Sequence, residues 1–349
     1  MGDRAGRRGL DNAAAVYQAD GSITVEQLPV PEAAPGQVLI EVSHCGICGT
    51  DLHLVLERYA RPGSVLGHEW SGTVIEAAGG VWPVGTPVVV DPTPGCGECR
   101  ACQRGRPSVC LRRAPPDYFG FRGAFAQYVT APAARLLAVP AGLALRTAAL
   151  TEPTAIAIHA VNLAGVEPGD RVLVTGGGPV GLLITAVLAA RGVRDVTVSE
   201  PAPQRRRRAL EVGAAESVAP EALEPAPMGR PVVSPYTVAF ECSGVAAAAE
   251  AALDQLDYAG TLVFVGTGKD WPRINHNRAI VLELTIIGAY NYDAGGFGPA
   301  LELLASGELP VELLVEPADV TLGELRVTMD RLAAGELPGK VMVRPVGEQ

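Results

Sequence analysis

Residues 171–191 constrain this chain more than any other segment. Arg171 to Thr175 reads as a β-strand, Gly176, Gly178 and Gly181 follow it in G-x-G-x-x-G order, and Val180 to Arg191 continues as an apolar helix. Glycines so placed permit a tight turn, let backbone N–H groups approach a pyrophosphate and bring helix and strand close together; the helix N-terminus favours the negative charge. The setting between strand and helix separates a dinucleotide fingerprint from a generic turn. Nineteen residues beyond Gly181, after the next strand (Val196 to Ser199), stands Glu200. A carboxylate there accepts both ribose hydroxyls of NAD and repels the 2′-phosphate of NADP.

The same alternation continues toward the C-terminus. A helix is expected over Gln204 to Gly213, strands over Tyr236 to Glu241, Thr261 to Gly266 and Leu284 to Ala289, and an Ala-rich helix over Ala246 to Leu256. Strands alternating with helices imply a parallel sheet covered on both faces. Pro220 to Pro235 carries five prolines and is expected to be an irregular loop. From Ile23 to about Pro140 the text changes to short β-like runs (Gln37 to Val42, Gly72 to Ala77, Pro87 to Asp91, Phe125 to Thr130) separated by Gly and Pro, as in a small, mostly β domain. A length of 349 residues suits two such domains, preceded by an Arg- and Gly-rich tail over residues 1–12.

Four of the seven cysteines, Cys96, Cys99, Cys102 and Cys110, have the spacing C-x2-C-x2-C-x7-C in a turn-rich lobe. Four thiolates so spaced can wrap one tetrahedral Zn²⁺ with no position left open, as in a structural site. Unconnected buried thiols and an iron–sulfur cluster are the alternatives, the latter with different usual spacings. A second set is dispersed: Cys45, Cys48, Thr50, Asp51 and His53, then Gly67, His68 and Glu69, then Glu152. A thiolate, an imidazole and a carboxylate can bind Zn²⁺ and keep one position open for Lewis-acid chemistry on an alcohol. Spacing alone is weak support, since a Gly-His-Glu triplet is more often a turn with a satisfied histidine.

The net charge of −10 and pI near 5.1 disfavour nucleic acid and anionic lipid surfaces as partners. The basic run Arg205 to Arg208 reads mainly as a solvated helix face. Val180 to Ala190 is too short to span a bilayer, and Asp11, Asn12 and Asp20 interrupt any signal core, so the expected compartment is the cytoplasm.

Taken together, Cys48-Gly49-Thr50-Asp51-Leu52-His53, Gly67-His68-Glu69, the four-cysteine lobe, Glu152-Pro153, the glycine fingerprint and Lys340 resemble the zinc-containing medium-chain dehydrogenases, in their sorbitol, butanediol and threonine dehydrogenase branch. The resemblance implies an α/β fold: a GroES-like, mostly β catalytic domain (residues 13–157, with the zinc lobe at 95–110), a Rossmann doubly wound coenzyme domain (158–292), and a return segment (293–349) completing the first. It implies two Zn²⁺ per chain, NAD(H), a homodimer or homotetramer, and hydride transfer between the cofactor and a secondary alcohol or ketone. Cys48 and His68 would bind the catalytic zinc, and Glu69 and Glu152 would share the carboxylate role, either one binding directly while the other acts through water. Cys45 matches a non-ligand, and Asp51 would orient His68. Thr50 would take the alcohol proton and pass it through the cofactor ribose to His53. Val180 would hold the nicotinamide, Arg205 the adenosine ribose, Lys340 the pyrophosphate, and Val265, Gly266 and Ala289 the carboxamide.

Leu54 and Asn291 stand where sorbitol dehydrogenases tend to carry Tyr and Arg, which argues against sorbitol itself. Tyr290 to Asp293 would form either a polar approach to the pocket or a surface loop, and a polyol, cyclitol, diol or amino-alcohol is expected. Two other readings are weighed: an NADP-dependent aldehyde or ketone reductase of the same fold, which Glu200 opposes, and a non-enzymatic dinucleotide-binding protein, which the retained zinc ligands oppose.

Overall fold

The computed structural model describes residues 11–80, 82–93, 95–112 and 123–345. The chain divides into two compact units, one comprising Met1–Pro94, Arg112–Glu152 and Pro317–Gln349, the other Gly95–Leu111 and Pro153–Glu316. Residues 1–10 of the expected tail lie outside the described residues, and Asp11 and Asn12 already belong to a strand.

In the first unit, β1 (Asp11–Tyr17) and β2 (Ile23–Pro29) form an antiparallel ribbon. A second sheet contains β3 (Gln37–Gly46), β4 (Glu69–Ala77), β5 (Pro87–Val90), β6 (Tyr128–Pro132) and β7 (Leu136–Ala138). Apolar residues spaced two apart, Val38, Ile40 and Val42 on β3 and Val88 and Val90 on β5, join Trp70, Val74 and Phe125 in a dry core. The β3–β4 register shifts between Val42 and His44, after which Cys45 faces Trp70 and Gly46 faces Glu69. Such an irregularity re-aims the side chains beyond it. Here one of them is Glu69, a residue of the candidate metal site.

In the second unit, β8 (Arg171–Thr175), β9 (Asp195–Ser199), β10 (Glu216–Val218), β11 (Tyr236–Glu241), β12 (Leu256–Phe264) and β13 (Thr285–Gly288) form one parallel sheet in the order β10-β9-β8-β11-β12-β13. The order reverses at β8, and the crevice beyond the carboxyl ends of strands at such a point is where open α/β sheets bind ligands. The helix Pro179–Ala190 starts there, its residues Gly181 to Leu188 all buried. The helix expected over Ala246 to Leu256 ends at Asp254, and only Gln255 separates it from β12. The last strand, β14 (Met342–Val343), belongs to the first unit and pairs antiparallel with β3.

The proline-rich segment 220–235 holds one 3-10 turn, Pro220–Ala222, and is otherwise irregular. It is pinned from a distance: buried Arg278 donates to the carbonyls of Pro227 (3.2 Å), Arg230 (3.0 Å) and Asp254 (2.7 Å). Two of these carbonyls lie in the segment itself, so a guanidinium takes up backbone acceptors that a helix would have satisfied internally. No helix among the described residues is long and apolar enough to cross a membrane.

Candidate active site

The first site is built where β3 turns into the helix Gly49–Leu56. Asp51, in the first turn of that helix, accepts the Cys48 N–H (3.0 Å) and the Gly67 N–H (3.4 Å), tying the two loops that carry Cys48 and His68. Its carboxylate lies 3.7 Å from His68 Nδ1, so Asp51 mainly holds backbones and adds an electrostatic hold on the ring. The result is convergence: single ligating atoms of Cys48, His68 and Glu69 all lie within 4.8 Å of one another.

The donor set fits a divalent metal. Glu69 Oε2 is buried with no hydrogen-bond partner among the described residues. Burial pushes Glu152 up to about 7 despite the nearby His68 charge. Burial would pull His68 down, yet the charges of Cys48, Asp51 and Glu152 outweigh it and hold the ring well above its ordinary value. Crowded thiolate and carboxylates thus lack positive charge, which a dication supplies. Glu152, at the start of the helix Thr151–Ala164, stands beside this set rather than in it. Burial, with the charges of Asp51 and Glu69, raises Cys45 far enough to keep it a neutral thiol, in keeping with a non-ligand. Thr50 Oγ1 lies 3.6 Å from Cys48 Sγ, and half-exposed His53 meets Glu57 Oε1 at 2.8 Å.

Lys340 departs from expectation. Its ammonium is 2 % exposed and donates to Glu69 Oε1 (2.7 Å) and to the Ile47 carbonyl (3.1 Å). A buried ammonium committed to these two acceptors is a partner of Glu69, a contact that the pyrophosphate expectation did not include.

In the other unit, the sulfurs of Cys96, Cys99, Cys102 and Cys110 all lie within 4.8 Å of one another, with Cys96 to Cys102 at 4.0 Å and Cys99 to Cys110 at 3.9 Å. Tetrahedral zinc with bonds of about 2.3 Å needs sulfur separations of about 3.8 Å, so the cage is already near its closed size. Backbone N–H groups of Cys102 and Leu111 bring Cys99 down to about 6, while burial raises Cys102 to about 11; four thiols share too little positive charge, which a cation corrects. The lobe is fastened by Asp293, which accepts the Ser108 N–H (2.9 Å) and pairs with Arg106 (2.9 Å). Asp293 is therefore not part of a polar approach to a pocket. Tyr292 is also withdrawn, buried against Phe297, whereas Tyr290 is exposed.

At the carboxyl end of β8, Gly176 adopts φ 97°, and a side chain at Gly181 would overlap the Gly176 carbonyl, so both glycines are required by geometry. Glu200 is 3 % exposed, and its two oxygens accept the N–H groups of Gly177 (2.8 Å) and Ala202 (2.9 Å). One lone pair per oxygen is left for a ribose diol. Arg206 Nη1 donates to the Glu200 and Pro201 carbonyls, and Arg205 stands one residue earlier on the same helix. Val265 and Gly266 follow β12, both donating to the Glu241 carbonyl (2.9 Å each), and Ala289 follows β13. Val180 lies in the first turn of the helix that the fingerprint opens.

Sequence reasoning did not find Gly46, Glu57 or the lobe-fastening role of Asp293. Gly46 shows only in the cross-strand register, and Asp293 lies 183 residues beyond Cys110.

Fold and sites define a two-unit metal- and dinucleotide-dependent dehydrogenase. Residues 34–141 match the family model described as alcohol dehydrogenase GroES-like domain, and residues 179–306 the model described as zinc-binding dehydrogenase. The chain is 34 % identical to a 2-dehydro-3-deoxy-L-galactonate 5-dehydrogenase from Pseudoalteromonas atlantica, covering 86 % of this chain and 89 % of the relative. It is 31 % identical to sorbitol dehydrogenase from Gallus gallus, covering 87 % and 88 %. The crystal structure of a zinc-binding dehydrogenase from Sinorhizobium meliloti bound to NADP superposes with a TM-score of 0.85 at 30 % identity, covering 96 % of this chain and all of that one. The chain belongs to the zinc-containing medium-chain alcohol dehydrogenases and is an oxidoreductase using zinc and a nicotinamide dinucleotide.

Proposed function

We propose that this enzyme oxidises a secondary alcohol on a polyol, sugar acid, cyclitol, diol or amino-alcohol, reversibly, with NAD⁺ as hydride acceptor. The observation that carries the reading is the convergence of Cys48, His68 and Glu69 within 4.8 Å in a buried setting, a donor set that holds a dication and keeps a position free. When bound, the zinc supplies Lewis acidity toward the alcohol oxygen and NAD⁺ accepts the hydride. Thr50 receives the alcohol proton, and His53, held by Glu57, returns it to solvent. Asp51 keeps the Cys48 and His68 loops together, and Glu152 adds negative charge beside them. The names of the relatives, a sugar-acid dehydrogenase and a sorbitol dehydrogenase, support a polyhydroxylated substrate. Leu54 and Asn291 argue against sorbitol itself.

NADP is the second reading, favoured by the NADP bound to the Sinorhizobium relative and by Arg205 and Arg206 beside Glu200. The buried carboxylate favours NAD. A panel of polyols, sugar acids, diols, cyclitols and amino-alcohols assayed with each cofactor tests both points. If no alcohol supports reduction of either cofactor by zinc-loaded protein, the reading fails.

A homo-oligomer belongs to the same proposal. β13 is the edge of its sheet, and Ile286 on it, with Ile280, Val281 and Tyr258, is exposed, an apolar edge that pairing with a second copy would cover. Light scattering giving a monomer mass would contradict this. The cytoplasm is the proposed location, and neither nucleic acid nor membrane the proposed partner, on the net charge of −10.

A further inference from the structure

Gly46, Glu69 and Lys340 lie on neighbouring parts of one sheet. Gly46 of β3 faces Met342 of β14 on one side and Glu69 of β4 on the other. Lys340 precedes β14 by two residues, its register set by the Ile47 N–H donating to the Val341 carbonyl (3.0 Å). A side chain at Gly46 would overlap Glu69 Oε2 and crowd Lys340 Cδ, so the glycine is the gap across which lysine reaches carboxylate. Lys340 Nζ then engages Glu69 Oε1 alone, at 2.7 Å, with its second bond to the Ile47 carbonyl, and both side chains are almost fully buried. Oε2 has no hydrogen-bond partner among the described residues.

A carboxylate beside a dication can chelate with both oxygens or donate one. We propose that Lys340 is a positioning residue for the metal: by occupying Oε1 it makes Glu69 a one-oxygen ligand and keeps a coordination position free for the substrate. The proposal rests on the reading that Cys48, His68 and Glu69 hold the ion. Neither the glycine nor the lysine contacts substrate in this account. Both act through the geometry of Glu69.

Cobalt(II) substitution gives a readout independent of turnover. The difference in d–d absorption between wild type and Cys48→Ala isolates the Cys48 site; if the two spectra are identical, the site reading itself fails and the proposal with it. Given that difference, Lys340→Met is expected to weaken the d–d bands, as Glu69 chelates and coordination rises from four to five. Zinc affinity measured by chelator competition should rise, because a chelating carboxylate adds a metal–oxygen bond and the ammonium that competes for Glu69 is gone. Lys340→Arg should restore both. A Lys340→Met protein with wild-type bands and affinity would overturn the proposal while leaving the site reading intact. Should Lys340→Met not fold, Glu69→Gln is compared with Glu69→Gln/Lys340→Met, which buries no unpaired carboxylate. The two should bind cobalt alike, because the lysine acts through that carboxylate; a further change on removing Lys340 would overturn the proposal.

Discussion

Glu200→Ser tests how the chain chooses between the two nicotinamide dinucleotides. In the structure the carboxylate is buried, and each oxygen already accepts one backbone N–H, from Gly177 and from Ala202. Hydrogen bonds to a charged group contribute about 1.5 to 3 kcal/mol each. Two bonds to the ribose diol therefore amount to about 3 to 6 kcal/mol, and the lower end applies because each oxygen shares its charge with a backbone donor. At about 1.4 kcal/mol per decade, kcat/KM for NAD⁺ should fall roughly 10²-fold. Serine also leaves the Gly177 and Ala202 N–H groups without their acceptor, beside Arg205 and Arg206, and a 2′-phosphate can take up those donors. NADP⁺ use should accordingly rise, narrowing or reversing the preference. The assay is kcat/KM for both cofactors at fixed alcohol concentration, before and after substitution. A wild-type preference for NADP⁺, or an unmoved ratio, would show that Glu200 does not read the ribose.

Three further substitutions separate proton transfer from folding. Thr50→Val keeps the shape and deletes the hydroxyl, so kcat should drop roughly 10²-fold or more with zinc content unchanged, and His53→Ala, whose half-exposed ring solvent can replace, should cost less; normal turnover in Thr50→Val would remove the proposed relay. Cys99→Ala opens a cage whose closure contributes folding energy directly, so its thermal midpoint should fall and one zinc should be lost, whereas wild-type stability would contradict a structural role for the lobe.

Local chemistry was legible in the sequence, and long-range geometry was not. The four cysteines and the glycine fingerprint announce themselves because spacing along the chain equals spacing in space: each set lies within a few turns of one segment. The parallel sheet followed from the alternation of strands and helices, since β8, β9, β11, β12 and β13 each carry runs recognisable at short range, whereas the three-residue β10 does not. The contact of Lys340 with Glu69 is not legible in the sequence because a four-carbon side chain can end several ångströms from where its position suggests; only the β14–β3–β4 register shows it arriving there. The sequence leaves Asp293 and its neighbours open between a pocket approach and a surface loop, because its partners, Ser108 and Arg106, lie more than 180 residues earlier. The proline-rich loop was expected to be irregular, but what fixes it, Arg278, carries no local signal. Helices such as Thr151–Ala164 and Leu325–Ala333 went unread.

The most direct test of the whole account is zinc stoichiometry measured alongside alcohol-dependent NAD⁺ reduction. Two ligand sets should give about two zinc ions per chain. Cys48→Ala should then hold about one, remain folded, and reduce no NAD⁺ with any alcohol that supports the wild type. Full activity in a Cys48→Ala protein, or wild-type protein that is active without a second zinc, would contradict the claim that Cys48, His68 and Glu69 form the metal centre of an alcohol dehydrogenase.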